Sequence, residues 1–200
     1  GKLSKMKFNN LTALNMSKNR CKDSLPTDAV MPPKLEILVV DEVDWDDSCL
    51  ISFFGMIENN FKANGLKLSI VRASASRGEW NRVFNLLPLL EFEHMKSLVW
   101  DRNPTRETFF DFIMKQKSLD FLSLGECFGE QDTTSIEYLL GFIKKSTIRS
   151  LSIEGGEDVC LKKAIYSIIE VLLQREPFDF LSLRGSRSGD EGIDCMKKLI

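Results

Sequence analysis

Few side chains in this sequence are placed for acid–base or nucleophilic chemistry. His94 is the only histidine among 200 residues, and no acid or nucleophile stands at a catalytic-motif distance from it. The cysteines are odd in number, far apart and without a CxxC pair, so they do not complete a zinc set with one histidine. They are Cys21, Cys49, Cys127, Cys160 and Cys195. We therefore expect no enzyme activity, no metal and no cofactor.

Composition and charge narrow the class of partner and the compartment. The chain carries 27 Lys and Arg against 29 Asp and Glu, a formal net charge of −2, so no basic field attracts nucleic acid or anionic lipid. No apolar run approaches the roughly 18 residues of a membrane span. Because unclustered cysteines are typical of reducing compartments, we expect an intracellular protein, in the cytoplasm rather than the nucleus. Its expected partner is another protein or peptide, with no nucleic acid, membrane or small-molecule substrate.

The densest cluster of charge is the acidic run over residues 41–47, which has an aromatic side chain inside it. One interpretation is a site for a basic partner peptide, with Trp45 as its anchor. Another is a solvated loop in which Asp46 and Asp47 favour the positive end of the following helix. The EF-hand spacing, with its central glycine and closing glutamate, is absent, so calcium is not expected.

A repeat is the strongest signal in the sequence. Residues 11–19 follow the frame apolar-x-x-Leu-x-apolar-x-x-Asn, and related frames bring the occurrences to seven. The central residues are Leu14, Leu38, Leu68, Leu98, Leu122, Leu151 and Leu181. They are separated by 24, 30, 30, 24, 29 and 30 residues, a regularity that is hard to obtain by chance. Each Leu-x-apolar centre predicts a short strand whose alternate side chains point inward and stack on those of neighbouring repeats.

Segments with helical periodicity lie between these strands. In residues 136–143, for example, isoleucine and leucine side chains fall at i, i+3, i+4 and i+7, which gives one apolar face. The helical segments are 49–57, 80–87, 108–114, 136–143 and 161–173. Between Ser17 and Pro33 the prolines disfavour a long helix, so we expect a short or irregular connection there.

The repeat frame resembles the motif of the leucine-rich-repeat superfamily, L-x-x-L-x-L-x-x-N/C-x-L. Full helices in units of 24–30 residues are similar to its ribonuclease-inhibitor-like subclass. In the family, the Asn or Cys at the ninth position satisfies backbone groups of a buried turn. Asn19, Asn103 and Cys127 match that position, whereas Val43, Ala73, Gly156 and Ser186 depart from it. The resemblance implies an α/β solenoid of about seven repeats, with a curved parallel sheet inside and helices outside.

The resemblance also implies a domain organisation. We expect residues 8–200 to form the repeat domain and residues 1–7 to be a polar N-terminal extension that is frayed. No polar capping repeat is visible at either end, and solenoid ends normally need caps. The domain is therefore expected to be a fragment of a longer array.

Alternation along the strands places a second set of side chains on the concave side of such an array. The candidate partner-binding residues are the apolar Ile37, Val39, Val71, Val99 and Phe121, the acids Asp41, Asp101 and Glu154, and Ser123 and Arg184. A partly apolar stripe with a charged border is a common composition for a partner-binding surface. The alternative is that β-branched and aromatic residues simply suit strands. Trp100 occupies an inward position and is expected in the core.

The sequence thus predicts a protein–protein interaction scaffold that binds through its concave face and adjoining loops. The alternative is a regulatory or adaptor array of a larger protein, similar to the substrate-recognition part of a ubiquitin-ligase adaptor or to a cytoskeletal or GTPase regulator. A GTPase-activating array of this repeat subclass is the least favoured, because no convincing match to its functional loop is present.

Overall fold

The computed structural model describes residues 9–23, 31–46, 48–60, 65–92, 94–128, 133–154, 159–174 and 178–184. In these ranges strands and helices alternate along the chain, and the protein belongs to the mixed α/β class. Seven strands form one parallel sheet, and five helices accompany it. The α/β class and the parallel sheet predicted from the sequence are confirmed. No helix within these ranges is both long and apolar enough to cross a bilayer.

The strands of the main sheet lie side by side in the order in which they occur along the chain. They are β1 (Ala13–Asn15), β3 (Ile37–Val39), β5 (Leu66–Ser69), β6 (Met95–Val99), β7 (Phe121–Gly125), β8 (Ser150–Glu154) and β9 (Phe180–Arg184). A second sheet pairs β2 (Arg20–Cys21) with β4 (Asp44–Trp45) in parallel. The seven central leucines of the sequence frame are direct cross-strand partners, from Leu14 on β1 to Leu181 on β9. The sequence repeat is therefore also a structural register.

That register has one irregularity, between β5 and β6. Leu66 lies opposite Met95 and Lys67 lies opposite Ser97, so Lys96 is an extra residue on β6. Such a bulge changes the direction of the side chain that it contains. A Cβ on Gly65 would lie 2.7 Å from Lys96 Cε, so the glycine leaves room for the lysine stem. Lys96 in this bulge and Lys67 on β5 are both exposed.

Helices connect the strands of the main sheet from β3 onward. They are α1 (Cys49–Asn60), α2 (Arg77–Leu86), α3 (Glu107–Lys115), α4 (Thr133–Lys145) and α5 (Val159–Leu173). Each overlaps its predicted segment. Helix α2 begins three residues before the predicted segment because Ser76 caps it, with the Ser76 side chain accepting the N–H of Glu79 at 3.2 Å.

The core lies between the inward rows of the sheet and the helices, and aromatic rings fill its middle. Trp100, directly after β6, is fully buried, so its predicted place in the core is confirmed. Its ring centroid lies 6.2 Å from Phe54 of α1, 5.7 Å from Trp80 of α2 and 4.9 Å from Phe109 of α3. Its indole N–H donates to the carbonyl of Pro104 at 3.0 Å. One side chain therefore joins three helices to the sheet.

The turns at the carboxyl ends of five strands share one backbone conformation. Their φ angles lie between 48° and 59° at Lys18, Glu42, Arg72, Arg102 and Glu126. Each of these residues donates its backbone N–H to a carbonyl of the next strand or turn, for example Lys18 to Asp41 at 2.9 Å. The left-handed conformation costs about 1–2 kcal/mol per residue, and these hydrogen bonds offset that cost. The result is a row of charged side chains along one edge of the sheet.

Side chains at the ninth position of the frame form hydrogen bonds with backbone groups in and near these turns. Asn103 is buried, and it donates to the carbonyl of Ile70 at 2.6 Å and accepts the N–H of Ala73 at 2.8 Å. The Cys127 thiol donates to the carbonyl of Trp100. Asn19 is exposed and donates to carbonyls of its own turn. Positions 156 and 186 lie outside the described residues.

Candidate protein-binding face

One side of the main sheet is lined by the inward leucines and covered by the helices, and the intervening side chains point to the other side, the open face. These side chains form three rows that run across the strands. The first row is Ala13, Ile37, Lys67, Ser97, Phe121, Ser150 and Phe180, and the second is Asn15, Val39, Ser69, Val99, Ser123, Ser152 and Ser182. The third row lies at the carboxyl ends of the strands and is formed by Asp41, Val71, Asp101 and Glu154, and the backbone positions of Gly125 and Arg184 are in register with them. All ten candidate partner-binding residues belong to these rows.

The apolar members of the open face occur in two groups rather than in one continuous stripe. Towards β3, Ile37 is 39% exposed, and Val39 and Val99 are half-buried on either side of Ser69. Towards β9, Phe121 is half-buried. In the first row, Lys67 and Ser97 lie between Ile37 and Phe121, and in the second row serines alternate with the two valines. Most of the predicted apolar side chains therefore keep part of their surface available for contact.

The most exposed aromatic contact of the open face is a pair of phenylalanines in its first row. Phe121 on β7 and Phe180 on β9 flank Ser150, with ring centroids 6.3 Å apart and planes tilted by 43°. Phe180 is 50% exposed. The candidate set omitted Phe180, although it stands at the position of its repeat that is equivalent to Phe121. An aromatic pair with this much free surface is the kind of group that anchors protein interfaces.

The carboxylates of the third row connect neighbouring strands. Asp41 Oδ1 accepts the hydroxyl of Ser69 at 2.8 Å. Asp101 Oδ1 accepts the hydroxyl of Ser123 at 2.9 Å and the N–H of Gly125 at 2.6 Å. Ser123 is only 8% exposed, so its first role is to hold this arrangement rather than to touch a partner. Both acids are half-buried, and they fix the shape of the edge as well as its charge.

Charges of both signs follow along this edge. Glu154 is exposed and lies in register with Arg184 on the neighbouring strand. Arg102 and Glu126 form an ion pair at 2.9 Å, and the hydrogen bond that Arg102 donates to Glu126, together with the charge of Glu126, raises the pKa of Arg102. Arg72 projects from the turn next to that of Arg102. The third row thus carries the acids Asp41, Asp101 and Glu154, and the turn residues beside it carry both signs.

Comparison with known proteins assigns no ligand to this face. No protein-family model matches the chain. No curated protein matches it either.

The acidic run is not the exposed anchor site of the first interpretation, and part of it is a strand rather than a loop. Asp44 and Trp45 form strand β4, and Trp45 is 5% exposed with its ring 5.0 Å from that of Phe53, so it is no surface anchor. Asp44 and Asp46 lie 3.4 and 3.1 Å from the guanidinium of Arg20, and the hydrogen bond and charge of Asp46 raise the pKa of Arg20. These carboxylates therefore already have a cationic partner in the same chain. Position 47 lies outside the described residues.

Two other features, a histidine and a cavity, lie away from the open face. His94 is half-buried beside β6, and its carbonyl accepts the N–H of Leu66 at 3.1 Å. A cavity of about 280 Å³ lies between the carboxyl ends of α3 and α4, with Ile113, Phe142, Lys117 and Lys145 in its wall. Among the described residues, no three His, Cys, Asp or Glu side chains are grouped to hold a metal ion.

Proposed function

We propose that this chain is a leucine-rich-repeat array of the ribonuclease-inhibitor-like subclass and that it binds another protein through the open face. The observation that carries the proposal is the register of the sheet. Seven leucines at repeat spacing are cross-strand neighbours, the inner five buried and Leu14 and Leu181 partly buried. The residues between them form three aligned rows with exposed apolar and charged members. Aligned rows on a rigid sheet are a preorganised surface, which reduces the ordering cost of association.

The aromatic pair is the energetic centre of the proposed interface. Phe121 and Phe180 supply a compact apolar surface, and the serines around them, such as Ser150, supply hydrogen-bonding groups. Interfaces are commonly built this way, with a few anchors inside a polar surround. The acidic side chains of the third row then set the orientation of the partner, because like charges placed opposite each other disfavour wrong registers.

A substitution experiment on matched faces tests the proposal. The first variant, Val39→Asp/Val99→Asp/Phe121→Asp, places charge on the half-buried apolar members of the open face. The control, Leu89→Asp/Met114→Asp, places charge on large apolar side chains outside the open face, which are 75% and 39% exposed. Circular dichroism first establishes that each chain is folded.

The expected result is that the wild type and the control capture the same partner protein from cell extract, while the open-face variant loses it. Loss of even one anchor is expected to weaken binding by more than about tenfold. Equal capture by the open-face variant would overturn the proposal. So would loss of the partner from the control alone, because that result would locate the binding surface away from the open face.

A further inference from the structure

Two cysteines from different elements meet at the end of the small β2–β4 sheet. Cys21 ends β2 and lies opposite Trp45, and Cys49 is the first residue of α1. The carbonyl of Cys21 accepts the N–H of Asp46 at 3.0 Å, and the Cys49 thiol donates to the same carbonyl with Sγ 3.2 Å from the oxygen. The backbone therefore holds the Cys49 sulfur against the Cys21 residue itself.

The side chains of the two cysteines also interact, and their surroundings differ. Cys49 is fully buried, whereas Cys21 is half-buried and within reach of solvent. Burial, and then the hydrogen bond with the Cys21 side chain, raise the pKa of the Cys49 thiol to about 12. At neutral pH, Cys49 is thus a protonated thiol in contact with a more accessible one.

We propose that Cys21 and Cys49 are a reversible disulfide site, oxidised by a peroxide and reduced by thiols. A disulfide requires Cβ atoms roughly 3.5–4.5 Å apart, and few pairs in a fold meet this condition. Here the two residues share a hydrogen bond and are held by secondary structure on both sides, β2 and the start of α1. This site is separate from the open face and does not depend on what that face binds.

The chemistry balances in two steps. The Cys21 sulfur attacks one oxygen of hydrogen peroxide, the O–O bond breaks, and Cys21 sulfenic acid and one water form. The Cys49 sulfur then attacks the Cys21 sulfur, the S–O bond breaks, and the departing hydroxide takes the Cys49 proton to give a second water. Two electrons pass from the thiols to the peroxide. Because the high pKa of Cys49 keeps it protonated, the second step is slow at neutral pH and becomes faster as the pH rises.

The disulfide would close the connection between β2 and α1. The closed segment contains the whole of β3 and β4, and hence the part of the open face that carries Ile37 and Val39. Oxidation would therefore restrain the end of the fold at which the small sheet lies, while the strands from β5 onward keep their own contacts.

The test treats the native full chain with hydrogen peroxide, quenches it in acid, alkylates the free thiols under denaturing conditions and maps the peptides by mass. The expected product is one cross-linked species joining the peptides of Cys21 and Cys49, lighter than the reduced pair by two hydrogens and lost on reduction. Cys127→Ser is the matched control, since Cys127 is also buried but bonds to the Trp100 carbonyl, and the control should retain the cross-link. Cys21→Ser should lose it.

Three outcomes would overturn the proposal, and all are read on the wild-type chain, so none depends on whether a variant folds. The first is recovery of both cysteines as alkylated free thiols after treatment. The second is conversion of Cys21 to the sulfinic or sulfonic acid with no cross-link. The third is a mixture of cysteine pairings like that of the denatured chain, which would mean that the fold selects no pair.

Discussion

Replacement of Asn103 by alanine should destabilise the protein strongly, because this one amide satisfies two backbone groups of the neighbouring turn, which follows β5. The carbonyl of Ile70 and the N–H of Ala73 are both buried, and Asn103 bonds to them at 2.6 and 2.8 Å. An unsatisfied buried polar group costs about 1–3 kcal/mol, so the two together predict a loss of about 2–6 kcal/mol. With an m-value of about 3 kcal/mol/M in urea, this corresponds to a decrease in the midpoint of roughly 0.7–2 M.

Asn19 is the control that the chain itself provides. It stands at the ninth position of the first frame, but it is exposed and donates to the carbonyls of Met16 and Ser17, which water can reach. Asn19→Ala should therefore cost less than about 1 kcal/mol. Urea unfolding followed by circular dichroism and by tryptophan fluorescence measures both variants. Equal losses of unfolding free energy in Asn19→Ala and Asn103→Ala would refute this prediction, because it attributes the larger loss in Asn103→Ala to the burial of that residue.

Two further predictions concern the edge of the sheet and the alkaline limit of stability. A Cβ on Gly125 would lie 2.9 Å from Asp101 Cγ, so Gly125→Ala should lower the free energy of unfolding by about 1–3 kcal/mol. The loss should be smaller in an Asp101→Ala background. If chemical unfolding shows that the losses of the two substitutions are additive, the contact does not cause them. Burial raises the pKa of Cys127 from its ordinary value of 9.0 to about 12, so the fold favours the protonated thiol. The stability that comes from the protonated thiol is fully present below pH 9 and is lost as the pH rises towards 12. The stability of the wild type should therefore fall more steeply over this range than that of Cys127→Ser, whose hydroxyl does not ionise. Parallel pH profiles of the two proteins would contradict this prediction.

The repeat and its inward residues could be predicted from the sequence because both depend on spacing. Leu98 on β6 and Trp100 directly after it are two residues apart in extended chain, so their side chains point to the same buried side. Leu122 and Leu151 follow at repeat distance, and stacking of equivalent positions makes them cross-strand neighbours. Periodicity over seven units is a strong signal, since each unit repeats the same physical requirement.

The burial of Trp45 and the strand that contains it could not be predicted in the same way. A two-residue strand shows no alternation, and the acids on either side of Trp45 favour a loop. What buries the tryptophan is its contact with Phe53 and the pairing of β4 with β2, and both depend on tertiary structure. The hydrogen bond that Ser69 donates to Asp41 could not be predicted from the sequence either, because it joins residues 28 positions apart through the strand register.

The order of the strands has a consequence for how the molecule responds to force. Each strand of the main sheet pairs only with the main-sheet strands that precede and follow it along the chain. A pulling force on one terminus would therefore act on the hydrogen bonds between the outermost two strands first. Those hydrogen bonds would break before the next pair of strands bears the force, so the sheet would separate strand by strand from its end. Refolding would proceed by the same short loop closures of a few tens of residues, for which the entropic cost is small. A molecule with this connectivity yields progressively from the pulled end, and the part that is still folded keeps its shape.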